Sequence, residues 1–546
     1  MSLVTATVLS EGAPIDKVFE IMSIDIRRNV NRLPYASLVL IDGDAAKRTF
    51  ALSNAKYFEP GKTIEIKLRY EAKSADISVF KGPVVGHGVE ASGRGSMLRV
   101  EMKDAAISLA QGRKSHVFTG QSDAEAVRQL IEQGGVTVGT IDDTQPKHPQ
   151  IVQYHCSDWD FIVSRAETQG LLVVAEDGKV SLRKPDLGAS AAHKFDYGIS
   201  EIYDFEFQID ASSQYAGATS SGWDLKQGKL TAAAEAKAFV LKQGNLQGDK
   251  IAGTLGFKTQ LLSHPVPVAQ EELQAWADAR LMRSRLSLIR GRVATAGFAP
   301  VKLLEVIEIA GVGKRFDGTT LVTGLRHRVD ADGWRTDVQF GLSARAFALE
   351  EGVSDSPAAG LLPAIGGLHV GVVAGFEEDP DKQFRVKVTL PGIDPEQGAV
   401  WARLASSDAG DKRGWFSRPE AGDEVVVGFF NSDPRQPVVL GALFSPKNVP
   451  AEQYSAITEK NTMKVMVTKT GTAAGFIDDD KGLVFIETAG GGKVVVDDKE
   501  KSIALTDQNG NTITMDKDGI TIKSAKDLKF EASGNVEIKG AKVDLK

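Results

Sequence analysis

A single cysteine, Cys156, occurs in 546 residues. It excludes an intrachain disulfide and leaves no thiol cluster for zinc. No apolar run approaches the ~20 residues that a membrane-crossing helix needs. The opening MSLVTATVLSEGAPIDKVFE has neither the basic start nor the apolar stretch of a secretory signal. These absences describe a protein made in the cytoplasm without a signal peptide. A basic surplus is missing as well: 65 Lys and Arg face 72 Asp and Glu, for a net charge of -7. Such a chain cannot neutralise a long phosphate backbone, so nucleic acid is excluded as a main partner. Histidine is sparse. His87, His116, His148, His155, His193, His264, His327 and His369 show no HExxH or other metal spacing and read as scattered structural residues.

What is present is glycine, 55 residues or about a tenth of the chain, and short alternating segments between turns, hence β structure. The length implies several domains. Residues 1–110 read as strands in IDIRRNVNRLPYASLVLIDG, KTIEIKLRYE and SMLRVEMKD. An α+β insert at 111–194 follows. Its first helix is SDAEAVRQLIEQGG, opened by Ser122 and stopped by Gly134 and Gly135. Its second is SDWDFIVSRAETQG, with Ser157 as N-cap, Asp160 at the capping-box position and Gly170 as the stop. Strands LLVVAED and KVSLRKPD complete the insert. Strands dominate again over 195–350, with one helix across AQEELQAWADARLMRSRLS. Two all-β segments flanking an insert are compatible with duplication. Residues 351–369, rich in Gly, Pro, Ser and Ala, form a linker. Five strands over 370–446 suit a small OB-type barrel.

After a neck at 447–480, residues 481–546 carry apolar pairs separated by one residue. They are Val494 and Val496, Ile503 and Leu505, Ile513 and Met515, Ile520 and Ile522, Leu528 and Phe530, Val536 and Ile538, Val543 and Leu545. The steps between pairs shorten along the ribbon. Each pair is read as one dry face of a strand of three to four residues, with Gly510, Gly519, Gly534 and Gly540 at the turns. Such a ribbon has no core of its own, and its step is too short for the rungs of a single-chain β-helix. Three copies around one axis, each giving one strand per step, would close a triangular rung with every edge paired. The expectation is a homotrimeric needle whose axis is filled by those pairs.

At this point the residues resemble a known family. GLVFIETAGGGKVVVDD and SIALTDQNGNTITMDKDGITI are similar to the neck and triangular β-helix of the VgrG and phage baseplate spike family of contractile injection systems. In the OB segment the similar positions are Trp401, Ala402, Arg403, Trp415, Phe416, Pro419, Gly422, Asp423, Glu424, Val425, Asp433, Pro434, Pro437 and Gly441. In the insert they are Gln153, Tyr154, Ser157, Asp158, Phe161, Arg165 and Gly170. The resemblance implies a mainly β chain: a hub of two tube-like barrels (1–110 and 195–350), an OB-fold barrel and an intertwined trimeric β-helix. It implies a homotrimer docked by its hub on a hexameric inner tube and baseplate subunits. It also implies a PAAR-type tip protein on Val543, Leu545 and Lys546, transient contact with a target membrane, and residence in a tail-like particle. Where some phage spikes carry a lysozyme, only SPKNVPAEQYSAITEKN stands here, and the expectation is a minimal spike without the effector segment that some relatives carry after the needle.

Candidate chemistry is thin. Asp478, Asp479 and Asp480 could draw calcium but read as an exposed acidic turn. GVGK at 311–314 lacks the full phosphate-loop spacing and reads as a hairpin turn. Cys156, beside Trp159 and Phe161, reads as a small buried residue. Trp401, Trp415 and Pro419 take core and turn roles rather than lining a ligand groove. No catalytic residue, metal ligand or cofactor is assigned. The function expected is a non-enzymatic central spike. The alternatives are a glycan-cleaving or wall-degrading tail enzyme, which needs a clustered acid–base site, and a receptor-binding tail fibre, which needs a head beyond the stalk.

Overall fold

The computed structural model describes residues 4–71, 75–93, 95–394, 398–456, 458–480 and 482–545. They form two compact units, residues 1–355 and 356–546.

In the first unit the two β segments are not separate bodies. The strand Gly318–Asp330 is long enough to serve four partners, the two-residue strand Lys242–Gln243 among them. Its start pairs with Val306–Ala310, and the rest pairs with Gly333–Phe340 on one side and with Ile21–Asn29 on the other. The last pairing joins both segments into one 14-stranded sheet. It is pinned where Arg326 donates from Nε and Nη2 to the two carboxylate oxygens of Asp25, both at 2.8 Å. Such a bidentate pair adds geometric specificity to the ladder. Ile24, Ile26, Leu38, Leu40, Ile64 and Ile66 fill the core on the amino-terminal side, and Val293, Val322, Val338 and Phe340 fill it on the other. The sequence reading missed the strands Val4–Ser10 and Ile77–Ser92. In the second of these, glycines interrupt the alternation.

The insert has its own core. Helix α1, Asp123–Gln133, is capped by Ser122 in a reciprocal box with Glu125. Helix α2, Asp158–Thr168, is capped by Ser157, whose Oγ accepts from the Asp160 amide. Gly170 ends α2 at φ +69°, a conformation that disfavours a side chain. Ala126, Val127, Leu130 and Ile131 of α1 meet Phe161, Ile162 and Val163 of α2 over the strands Leu172–Glu176 and Lys179–Arg183. The second β segment carries a short helix α3, Gly248–Thr254, and the long α4, Gln270–Leu286. GVGK is part of the loop between antiparallel strands Val306–Ala310 and Gly318–Asp330, closed by the Val312 amide on Asp317.

In the second unit, His369–Gly375, Val386–Thr389, Ala399–Leu404, Glu424–Phe429 and Pro437–Ala442 close a five-stranded barrel around Val373, Val388, Leu390, Ala402, Val425, Val427 and Val439. A seven-stranded antiparallel sheet follows: Met463–Val467, Ala473–Ile477, Leu483–Glu487, Lys493–Asp497, Ser502–Thr506, Thr512–Asp516 and Gly519–Lys523.

This sheet corrects one expectation. The strands are five residues long, not three to four, and successive strands pair with one another inside the chain. They do not each give one strand per step to an inter-chain rung. The connectors explain this. Segments 468–472, 478–482, 488–492, 498–501 and 507–511 have hairpin length, and Gly471, Gly482, Gly491 and Gly510 supply positive φ within four of them. The meander also begins at Met463, inside the stretch read as neck.

Candidate functional site

Antiparallel register turns the apolar pairs into two columns on one face of the meander. One runs Phe476, Val484, Val496, Ile503, Met515, Ile520, and the other Ala474, Ile486, Val494, Leu505, Ile513, Ile522. Successive residues alternate faces, so the opposite side carries Phe485, Val495, Ala504, Thr514 and Thr521. Near the neck that reverse face is covered: Phe485 is buried and stacks on Tyr454, with ring centroids 5.9 Å apart. Farther along it turns to Ala and Thr. The two columns are left open. From Val484 to Ile522 the side chains are 39% to 69% exposed apart from Ile513, which is half-buried. Ile486, Val494, Leu505, Ile513, Ile522 and Leu528 line a groove of about 550 Å³. A continuous apolar face of this length is a protein contact surface rather than ordinary scatter.

All the axis positions named from sequence up to Ile522 fall on these two columns. Leu528, Phe530, Val536, Ile538, Val543 and Leu545 lie beyond the last strand and are exposed, Leu545 at 92%. Lys546 lies outside the described residues.

The OB positions serve the barrel's turns and edges. Gly422, at φ +90°, donates its amide to the Val373 carbonyl at 2.8 Å. In the turn that starts at Pro419, the Asp423 carboxylate accepts from the Glu420 amide. Glu424 opens the next strand opposite Val372, and Pro437 opens the last strand opposite Phe429. Gly441 sits opposite Val426, where the register slips. Trp401 is half-buried between cations, with the Arg385 guanidinium 5.8 Å and the Lys387 ammonium 5.9 Å from its ring. Arg403 lies over Phe430. Trp415 departs from a core role: it is exposed at the base of a small hairpin, its amide bonded to the Asp408 carbonyl. Sequence reasoning missed the Asp379–Arg385 latch. There one carboxylate accepts from the Arg385 side chain and from the amides of Arg385, Asp381 and Gln383. The Arg385 guanidinium and these amides hold Asp379 well below the usual carboxylate range.

In the insert, the motif residues assemble a buried polar junction. Gln153 donates to Asp158 at 2.9 Å, and Phe161 stacks on Phe118 at 5.5 Å. Arg165 reaches Asp123 of α1 through Nε at 2.6 Å and Nη2 at 2.9 Å, and Glu272 of α4 through Nη2 at 2.6 Å. Burial pushes the Asp123 carboxyl up, but the Arg165 guanidinium and the Gln169 amide outweigh it and hold it below its ordinary value. The partner Glu272 is more than a hundred residues away and left no mark in the local motif.

Ser53 Oγ lies 2.8 Å from His87 Nε2, and His87 Nδ1 lies 3.0 Å from the Phe58 carbonyl. The adjacent Leu52 and Ser53 amides are given to Asp42, so this pair pins a loop. No three His, Cys, Asp or Glu among the described residues converge to hold a metal ion. Cys156 is half-buried, and burial pushes its thiol up. Among those residues no helix is long and apolar enough to cross a membrane.

Comparison with known proteins matches this geometry segment by segment. Residues 1–331 match the Alg8 N-terminal domain, 369–444 the Type VI secretion system/phage-baseplate injector OB domain, and 483–546 the phage baseplate V C-terminal trimerisation domain. The Type VI secretion system spike protein VgrG3 of Vibrio cholerae is 26% identical over 167 residues, 29% of this chain and 16% of that protein. Over residues 1–331, more than half its length, the chain belongs to the Alg8 N-terminal domain family, and it carries the phage-baseplate OB and trimerisation domains of VgrG-like spike proteins. The actin cross-linking toxin VgrG1 of Vibrio cholerae is 32% identical over 121 residues, 21% of this chain and 11% of its own length. The matches span between 11% and 20% of the length of these curated relatives. Among solved structures, the tail protein of Neisseria meningitidis MC58 has a TM-score of 0.46 at 13% identity, covering 63% of this chain and 98% of its own. The E. coli c3393 protein, a type VI secretion system component, has a TM-score of 0.41 at 12% identity, covering 80% and 99%.

Proposed function

We propose that the chain is the homotrimeric central spike of a contractile injection system, with no catalytic role of its own. The observation that carries this reading is the pair of open apolar columns in a segment that matches a trimerisation domain. Three such faces turned inward exclude water from a common axis and leave charged residues outside. Residues 1–350 form the hub, which docks on a hexameric inner tube and baseplate subunits. The OB barrel is the collar, and the meander with the residues after it is the needle. Sheath contraction supplies the work, and the needle has only to stay folded under axial load while it crosses a target membrane. Val543 and Leu545, exposed at the far end, offer a seat for a small conical tip protein of the PAAR type. The particle is tail-like, assembled from cytoplasmic parts. The reading is tested by native mass: the purified protein runs at three times 58.5 kDa and shows a thin rod by electron microscopy. A monomer at micromolar concentration overturns it.

A further inference from the structure

Three turns on one edge of the meander, 468–472, 488–492 and 507–511, share a plan. In each, the fourth residue donates its amide to the first residue's carbonyl: Gly471 to Thr468 at 2.9 Å, Gly491 to Thr488 at 3.0 Å and Gly510 to Asp507 at 3.3 Å. Those glycines sit at φ +83°, +91° and +89°. In two of the turns a side-chain oxygen of the first residue also accepts the fifth residue's amide. Thr488 Oγ1 takes it from Gly492 at 3.0 Å, and Asp507 Oδ1 from Asn511 at 2.9 Å. The residue before the glycine varies: Thr470, Gly490 and Asn509. The turn therefore does not call for asparagine there. Yet Asn509–Gly510 is the one Asn–Gly step in 546 residues, and Asn509 is exposed.

That step carries a chemistry of its own. Glycine has no side chain to shield its amide nitrogen, so the Gly510 nitrogen can attack the Asn509 side-chain carbonyl carbon. The new C–N bond closes a succinimide, the Gly510 amide proton passes to solvent base, and the side-chain nitrogen leaves as ammonia. Water then opens the ring at one of its two carbonyls, leaving aspartate, or isoaspartate with the backbone routed through the side chain. In the folded turn both reacting groups are tied to Asp507. Its carbonyl holds the N–H of the nucleophile Gly510, and its Oδ2 accepts from Asn509 Nδ2, the leaving nitrogen, at 3.2 Å. Oδ1 accepts from the Asn509 backbone amide at 2.9 Å, and Asn511 Nδ2 reaches Oδ2 at 2.7 Å. The amides of Asn511 and then of Asn509 hold Asp507 down to about 2, so the carboxylate is ionised and keeps its grip at any ordinary pH.

We propose that Asn509–Gly510 is a site of spontaneous deamidation and that Asp507 keeps it unreacted while the turn is closed. The assignment holds for one chain as for three. Reaction there does not stay local. Either product sets a second carboxylate beside Asp507, and isoaspartate lengthens the backbone inside the turn by one carbon. Asn511, held by the same Asp507, accepts at Oδ1 from the Ala525 amide and the Ser524 hydroxyl. A modified turn therefore also loosens the anchor of the stretch after Lys523. The test holds full-length protein at mildly alkaline pH and follows the peptide carrying Asn509 by mass spectrometry, with fragmentation locating the change. Asp507→Thr installs the first residue of the sibling turns, so the turn can close while Asn509 Nδ2 loses its acceptor. It is expected to deamidate at Asn509 at least tenfold faster than the unsubstituted protein, at an unchanged unfolding midpoint. The unsubstituted chain in concentrated urea, where Asp507 holds nothing, is expected to show at least the same acceleration, and Asn509→Thr no reaction in that peptide. Equal rates in the folded protein, in Asp507→Thr and in urea overturn the protective role of Asp507. A peptide that stays unmodified in urea overturns the site itself.

Discussion

Replacing Leu505 separates a needle axis from an ordinary exposed strand. Leu505 lies on the open face between Val494 and Ile513 and is 39% exposed in the single chain. Fully burying a leucine contributes ~1.5 to 3 kcal/mol. Two-fifths of that, ~0.6 to 1.2 kcal/mol per chain, remains to be gained when copies meet, or ~2 to 4 kcal/mol for three. At ~1.4 kcal/mol per tenfold, Leu505→Ala should weaken trimerisation roughly 30- to 700-fold. Leu505→Asp goes further. In one chain the carboxylate points to water and costs up to ~1 kcal/mol in strand preference. In the trimer it places three like charges around a dry axis, at several kcal/mol each. Light scattering at micromolar concentration should therefore give a trimer for the unsubstituted protein and a folded monomer for Leu505→Asp. Thr521→Asp, on the opposite face and exposed, should remain trimeric. A Leu505→Asp trimer that survives the same dilution as the parent would refute the inward orientation of the columns, and so would equal dissociation by Thr521→Asp.

Arg165→Met leaves buried Asp123, with half-buried Glu272 beside it, without the guanidinium and should cost ~3 to 5 kcal/mol of stability in urea unfolding. His327 is buried in the hub sheet with Nδ1 2.9 Å from the Thr336 hydroxyl, which accepts from the Phe298 amide. Burial, with Arg28 nearby, pushes its pKa down to about 3. The unfolded chain therefore binds the extra proton first: stability is full above ~6.5 and falls as pH drops towards 3, by about 2 kcal/mol at pH 5. Unfolding midpoints between pH 7 and 5 should lose this slope in His327→Gln. Gly422→Ala meets no atom within 4 Å but must adopt φ +90°. It should cost ~1 to 2 kcal/mol of barrel stability from the backbone alone.

Local rules carried the reading wherever the determinant was local. Ser122 and Ser157 cap the helices they precede, the OB strands lie where alternation and turns set them, and the apolar pairs share one face. Partners distant in sequence left no local mark. Alternation in strands such as Leu483–Glu487 states which side is dry but not which strand lies alongside, so the needle's self-pairing was missed. The same holds for Asp25 with Arg326, and for Glu272 completing the Arg165 junction. Gly82, Gly86 and Gly88 break the alternation and hid the strand Ile77–Ser92; at Gly82 the cause is close backbone approach, since a side chain there would meet the Lys103 carbonyl at 2.0 Å.

The ladder between Ile21–Asn29 and Gly318–Asp330 also orders events during synthesis. Asp25 and Arg326 are 301 residues apart. At roughly 5 to 20 residues per second, the amino-terminal strands wait about 15 to 60 s on the ribosome for the strand that completes their sheet. The insert, with all of its core inside 106–182 apart from Phe347, can fold in that interval. The hub is therefore assembled around a piece that is finished first, and its oldest strands are among the last to be closed.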